Sequence, residues 1–459
     1  MLYDKLKAYS KSGVYPFHMP GHKQKAISDL PYELDLTEID GFDNLHAPTG
    51  CIRDIERKAE FLYNANRAFL LVDGATGGIL AAVRAMTSFG DKVLLARNCH
   101  KSVYNAVELC GLDPVYIQPD MIEGTDIFGS IDPDMLDKKL TEEPCVNLVI
   151  ITSPTYEGVC SDIESISLIC RRHGAKLLAD EAHGAHFPFS DAFPESAIDC
   201  GADVSVVSLH KTLPSPTQTA LLLTNDKDLE AKLQNELAVF ETSSPSYILM
   251  SGAEACLNNM DYNSFEEYTN LLDDFYTKAK SLKNFRLLYD LGTMYDHDFG
   301  KLVITTYGTN ITGTRLAEIL RERFAIEVEM AAAHYIIAIT SVCDTIEGFD
   351  RLYKALSEID KTVFKTFEAA EIKTPGLPEK RFSPFEARRK AKRTIAFENA
   401  AMKTSLDYVY AYPPGIPFIV PGEVITAELT DYIKKLISSG VNVCSSSVKY
   451  PEYIGVADL

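Results

Sequence analysis

The chain has 459 residues, 46% of them hydrophobic and 24% charged, enough interior for one large domain and at least one smaller one. Its 45 Lys and Arg stand against 65 Asp and Glu, a formal net charge of −20, which disfavours binding through nucleic-acid phosphates and suits a cationic small molecule. No apolar run approaches the ~20 residues of a membrane-spanning helix, the first residues lack the apolar core of a signal peptide, and the 10 cysteines show neither a C-x-x-C pair nor zinc spacing, so a cytoplasmic protein with reduced thiols is expected.

Residues 1–50 open with a helical stretch and continue through His18-Met19-Pro20-Gly21-His22-Lys23 into Asp40-Gly41-Phe42-Asp43-Asn44 and Pro48-Thr49-Gly50, a density of Gly, Pro and Asx that predicts an extended arm. His18 and His22 have no carboxylate or cysteine at ligand spacing, so no metal site is expected. From Ala68 onward apolar runs alternate with helical ones. Strands are predicted at 68–72, 92–96, 115–117, 147–151, 176–179, 204–207 and 220–223, the βαβ pattern of a mainly parallel sheet covered on both faces, and this large domain spans 51–265.

A long amphipathic helix follows, with Phe265, Tyr268, Leu271, Leu272, Phe275 and Ala279 at helical spacing. A small αβ domain is expected over 266–366, with strands at 301–306, 326–329 and 335–340, a helix from an N-capping Thr312 to Phe324, and another at 345–359. The C-terminal αβ extension, 367–459, holds the charge run Glu386 to Arg393, which predicts a solvated helical face. A proline-rich segment, Tyr412 to Glu423, and a final helix near 424–438 complete it.

Three features converge on the carboxyl edge of the predicted sheet, where open α/β folds bind ligands. Gly74-Ala75-Thr76-Gly77-Gly78 lies where a strand yields to a helix, and free backbone N–H groups with the Thr76 hydroxyl suit a phosphate there; no Gly-Lys-Ser/Thr follows to make it a nucleotide P-loop. Asp180-Glu181-Ala182-His183-Gly184-Ala185-His186 places a carboxylate at the end of a buried strand, needing a cationic partner; a protonated pyridine nitrogen, a metal held by Asp180, His183 and His186, or an internal salt bridge would each serve. Ser208-Leu209-His210-Lys211 puts a lysine 31 positions after Asp180, at the next strand's end, able to form a Schiff base. Phosphate cradle, ring-nitrogen carboxylate and Schiff-base lysine together are what pyridoxal phosphate requires.

These residues, with Asp43-Asn44-Leu45-His46, Asn98-Cys99-His100-Lys101-Ser102, Pro154-Thr155-Tyr156-Glu157-Gly158, Thr242-Ser243-Ser244-Pro245-Ser246-Tyr247 and Tyr412-Pro413-Pro414-Gly415-Ile416-Pro417, resemble the short form of the bacterial ornithine/lysine/arginine decarboxylases. The resemblance runs along nearly the whole chain. It implies a fold-type-I pyridoxal-phosphate-dependent large domain and decarboxylation of arginine, lysine or ornithine, leaning to arginine. It further implies Lys211 as the Schiff-base lysine, Asp180 on the pyridine nitrogen, Ala182 and His183 beneath the ring and His100 stacked above it. Ser208, His210, Ala75, Thr76 and the Gly77 backbone would hold the phosphate, and Thr242 would reach the phosphate of a partner subunit in a homodimer. Where the family commonly has Gly-Thr-Ser, this chain has Gly74-Ala75-Thr76, one hydroxyl fewer. Glu423 is implied as the carboxylate for the substrate's far end. Rival readings are an aminotransferase or carbon–sulfur lyase of the same fold, and a non-catalytic regulator binding the cofactor or a polyamine.

Overall fold

The computed structural model describes the chain apart from residues 13–18, 21–22, 26–27, 292–293, 367–374, 448 and 459. His18 and His22 therefore lie outside the described residues. The arm begins with α1 (Leu2–Ser10), and α2 (Cys51–Leu62) leads into the first strand. The strands in chain order are β1 (Arg67–Leu71), β2 (Lys92–Ala96), β3 (Asp113–Ile117), β4 (Val146–Thr152), β5 (Val159–Cys160), β6 (Lys176–Asp180), β7 (Val204–Ser208) and β8 (Ala220–Thr224). All but the two-residue β5 join one sheet, in the order β1-β8-β7-β6-β4-β2-β3. β7, β6, β4, β2 and β3 are parallel neighbours, whereas β8 runs antiparallel to both β7 and β1.

Reversal of β8 alone leaves the carboxyl ends of the other six strands on one edge. The segment entering β8, around Gln218, also reaches that edge. Alternation along the strands splits the core. Ala68, Leu70, Val207, Leu221 and Leu223 face one apolar cluster, while Phe69, Leu71, Val204, Val206, Ala220 and Leu222 face the other. Burial on both faces is why these strands read as continuous apolar runs.

A second sheet joins β9 (Arg286–Leu287), β11 (Lys301–Thr305), β12 (Met330–Ala331) and β13 (Tyr335–Ile339) in the order β12-β13-β11-β9, while β10 (Asp296–His297) pairs with β5 in a separate two-stranded ladder. The amphipathic helix is Tyr262–Ala279, with Phe265, Tyr268, Leu272 and Phe275 buried. Thr312 caps the helix Gly313–Phe324, its hydroxyl accepting from the Arg315 N–H at 3.1 Å.

Two expectations differ. Ile326–Glu329 is not a strand: only Met330 and Ala331 pair with β13, across the tight turn at 332–335, and Glu329 keeps a single backbone bond to it, its N–H donating to the Ile337 carbonyl at 2.9 Å, while its carboxylate accepts a hydrogen bond from the Tyr156 hydroxyl. The charge run 386–393 is not one helical face either. A single turn, Pro384–Ala387, is fixed by a Ser383/Glu386 capping box, and Lys392–Ala396 forms β14, paired with the strand Tyr453–Ala457 some sixty residues on. Such a long-range partner leaves no trace in local charge periodicity.

Candidate active site

Along the shared edge, the ends of β1, β2, β4, β6 and β7 deliver side chains into one cavity of about 390 Å³. After β1, α3 (Gly74–Met86) starts at Gly74, whose φ of +74° only glycine adopts without strain and whose N–H bonds the Gln218 carbonyl at 2.9 Å. α3 has no side-chain cap, so the N–H groups that follow Gly74 in its first turn are left for an anion. Ala75 and Thr76 line the cavity. Gly77 is buried and does not line the cavity; a Cβ there would stand 2.7 Å from Glu241 Oε1.

After β2, His100 caps α4 (Lys101–Cys110). Its Nδ1 accepts from the Ser102 N–H at 3.2 Å, and the ring borders the cavity. Burial, then the nearby Lys211 and Lys101 charges, push its pKa down to about 4, so the imidazole is neutral at physiological pH. β6 ends on Asp180, 4% exposed, with the Ala182 N–H donating to Oδ1 at 3.3 Å. Burial raises the Asp180 pKa and the Lys211 cation opposes that rise. Ala182 and His183 follow on the turn beyond, both lining the cavity.

β7 ends on Ser208, and the one-turn helix Leu209–Thr212 swings Lys211 back over the edge. Lys211 Nζ stands 3.1 Å from His183 Nε2. Burial lowers the lysine pKa, with Asp180 pulling it up. Burial also depresses His183 strongly, followed by the Lys211 charge, so His183 is a neutral acceptor for the lysine. His210 Nδ1 lies 3.1 Å from the Thr219 carbonyl, leaving its other nitrogen free for the cavity, which the ring lines.

Four buried polar atoms at this edge have no hydrogen-bond partner among the described residues: Ser208 Oγ, His183 Nδ1, Asn98 Oδ1 and Thr152 Oγ1. Orphaned polar atoms cost about 1–3 kcal/mol each unless a ligand or water satisfies them. With an uncapped helix N-terminus at one end and a carboxylate and a lysine within, the cavity fits a phosphorylated pyridine aldehyde. The metal alternative finds no support, because His186 turns away to Asp298 Oδ1 at 3.1 Å and no metal-holding group of His, Cys, Asp and Glu occurs among the described residues.

Glu423 is a correction. Its carboxylate does not line the cavity but is buried against the Arg97 guanidinium at 3.0 Å, while its Oε2 also accepts from the Val420 N–H at 2.8 Å. Thr242 also lies outside the cavity, its N–H donating to Asp73 Oδ2 at 2.7 Å and its carbonyl 2.9 Å from His46 Nε2. Among the cavity residues that the sequence did not mark as site residues are Tyr156 and Glu329. Tyr156 packs edge-on to His183, with ring centroids 4.7 Å apart, and Glu329 accepts from the Tyr156 hydroxyl. Tyr156 lies within Pro154-Thr155-Tyr156-Glu157-Gly158, whereas Glu329 had no local signal.

Residues 1–287 match the family described as Orn/Lys/Arg decarboxylase, major domain, and residues 365–442 its C-terminal domain. The chain is 30% identical to an arginine decarboxylase of Halalkalibacterium halodurans and 31% identical to one of Bacillus subtilis, in each case over 96% of this chain and 94% of the relative. Among solved structures, a Francisella novicida lysine decarboxylase superposes with a TM-score of 0.87 at 19% identity, covering 100% of this chain and 81% of that one. The Escherichia coli constitutive lysine decarboxylase gives 0.83 at 18% identity, over 99% and 81%. At such identities the likeness is one of fold.

Proposed function

The chain belongs to the Orn/Lys/Arg decarboxylase family, and from that membership we propose that it converts arginine to its amine and carbon dioxide with pyridoxal phosphate bound around Lys211. It is a decarboxylase of a basic amino acid, and its family and fold imply that cofactor. Arginine is favoured by the names of relatives aligned over nearly their whole length. The single observation that carries the site reading is the meeting of Lys211, buried Asp180 and the uncapped α3 N-terminus in one cavity.

When bound, the cofactor supplies an aldehyde for amines and a protonated pyridine that draws off the electron pair left by departing carbon dioxide. The first turn of α3, with Thr76, Ser208 and His210, would hold its phosphate. Asp180, short of hydrogen-bond partners, would keep a proton on the ring nitrogen, and neutral His100 and His183 would wall the ring without competing for that proton. Burial favours the uncharged, nucleophilic Lys211 amine, and His183 Nε2 fixes where it points. Lys211 would also return a proton to the substrate α-carbon.

With Glu423 engaged by Arg97, Glu329 takes over as the carboxylate for the far end, beside the Tyr156 ring on which a guanidinium can stack. Thr242 remains proposed as a contact to the partner's cofactor in a homodimer, consistent with its place outside this chain's own cavity. The described residues include no helix long and apolar enough to cross a membrane, and a cytoplasmic site of action is part of the proposal. Parallel assays of arginine, lysine and ornithine, following carbon dioxide and the amine, test the reading. Arginine should give the highest kcat/KM, and Glu329→Gln should raise its KM at least tenfold. A clear preference for lysine or ornithine, or keto-acid formation in place of carbon dioxide, would overturn it.

A further inference from the structure

Behind the cavity lies a charged cluster that the chemistry above does not use. Lys301, the first residue of β11, and Asp298 are 1% and 0% exposed, and their side chains pair at 3.2 Å. Asp298 Oδ1 also lies 3.1 Å from His186 Nε2 and accepts from the Gly300 N–H at 3.0 Å. The Lys301 ammonium, on its other side, reaches the backbone carbonyl of His183 at 3.5 Å. That same His183 meets Lys211 Nζ through its ring. Space for the Lys301 stem is made at Gly158, where φ is +91° and a Cβ would stand 2.9 Å from Lys301 Cγ.

A buried ion pair contributes little net stability compared with well-packed apolar residues. Lys301 is therefore poorly explained as a clamp between the two sheets, although Asp298 and His186 would suffice to hold it there. What distinguishes it is position, one residue's thickness behind the reactive amine. We propose that Lys301 is a positioning residue for Lys211, a fixed cation that braces the His183 turn and keeps the Lys211 amine available as a nucleophile.

The charges facing Lys211 come from several elements. Asp180 at the end of β6 and Glu329 ahead of β12 favour the protonated amine, Lys301 disfavours it, and burial disfavours it most. His183, His100 and His210 complete the surroundings, and burial favours the neutral form of all three. Lys301 is thus a fixed cation acting on Lys211. A second cation beside a nucleophilic lysine is an established way to free its lone pair.

The inference rests on Lys211 being the reactive amine, and it is tested on cofactor-free protein. Lys211 is labelled with trinitrobenzenesulfonate over a pH series and quantified by peptide mass spectrometry, with folding checked by circular dichroism. Lys301→Met should move the labelling midpoint up by about one pH unit, about a tenfold slower reaction near neutrality. Lys301→Arg, which keeps the charge, should retain the wild-type midpoint. A folded Lys301→Met with the wild-type midpoint overturns the proposal, and so does Lys301→Arg shifting as far as Lys301→Met. Should Lys301→Met not fold, Lys301→Gln, which removes the charge but keeps a donor for Asp298 and the His183 carbonyl, takes its place, and an unshifted midpoint there overturns it equally. These outcomes leave the role of Lys211 untouched; that role fails separately if Lys211→Ala still gives the visible absorbance of a lysine-bound cofactor.

Discussion

Replacing Glu423 separates two roles for a carboxylate that sequence resemblance cannot tell apart. In the structure Glu423 and Arg97 are 2% and 7% exposed at the side chain and paired at 3.0 Å. Arg97 Nη2 donates to the Phe418 carbonyl at 3.0 Å, and its guanidinium carbon lies 5.1 Å from the Tyr116 ring centroid. Glu423→Ala strands a buried guanidinium that can neither leave nor lose its proton. Breaking a buried pair from one side costs about 3–5 kcal/mol, roughly two to three and a half orders of magnitude in the folded-to-unfolded ratio. Glu423→Gln, which still offers an oxygen to Arg97 and to the Val420 N–H, should sit at the low end of that range.

Arg97→Met/Glu423→Gln should recover most of the loss, because neither charge is then buried alone. The chain has no tryptophan, so urea unfolding is best followed by circular dichroism. KM for arginine, measured on the folded fraction of Glu423→Gln, should stay within about twofold, since nothing in the cavity has changed. A Glu423→Gln protein with the wild-type urea midpoint and a tenfold higher KM would refute this reasoning and return Glu423 to the substrate.

Asp180→Asn should lower kcat by at least about a hundredfold, because the amide cannot stabilise a proton on the ring nitrogen, while the visible absorbance of bound cofactor persists; near wild-type turnover would remove Asp180 from the chemistry. Glu181 is fully buried, accepting from the Ser205 hydroxyl at 2.7 Å and the Ala197 N–H at 2.9 Å, and burial pushes its pKa up to about 8. The folded state therefore holds a proton that the unfolded state releases, so this contribution is complete below the ordinary carboxylate range and is lost as pH rises through about 8. Over that window stability should fall by roughly 1.4 kcal/mol per pH unit, and Glu181→Gln should flatten the dependence in urea titrations at pH 5 and 9. Gly415 has a φ of +93°, and a Cβ there would lie 3.1 Å from His100 Nε2. Gly415→Ala should cost roughly 1–3 kcal/mol in backbone strain and raise the apparent cofactor Kd, measured by absorbance titration, by displacing His100; unchanged cofactor affinity would detach that loop from the site.

The sheet was legible in the sequence because strands buried on both faces write themselves as apolar runs, as Leu148 to Ile151 and Val204 to Val207 do. The positions of Asp180, Ser208 and Lys211 followed, since a residue just past a parallel strand must emerge at the carboxyl edge whatever the helices do. Local sequence could not give the reversal of β8, the pairing of Lys392–Ala396 with Tyr453–Ala457, or the fate of Ile326–Glu329, because each depends on a partner distant in the chain. The same limit governed the carboxylates. Glu423 and Glu329 look alike as letters, and only packing sends one into a buried pair with Arg97 and the other to the wall of the cavity beside Tyr156. Sequence determined which chemical groups the edge would carry; the tertiary structure decided which of them face a ligand and which face each other, because burial and pairing are properties of neighbours that the chain brings together only on folding.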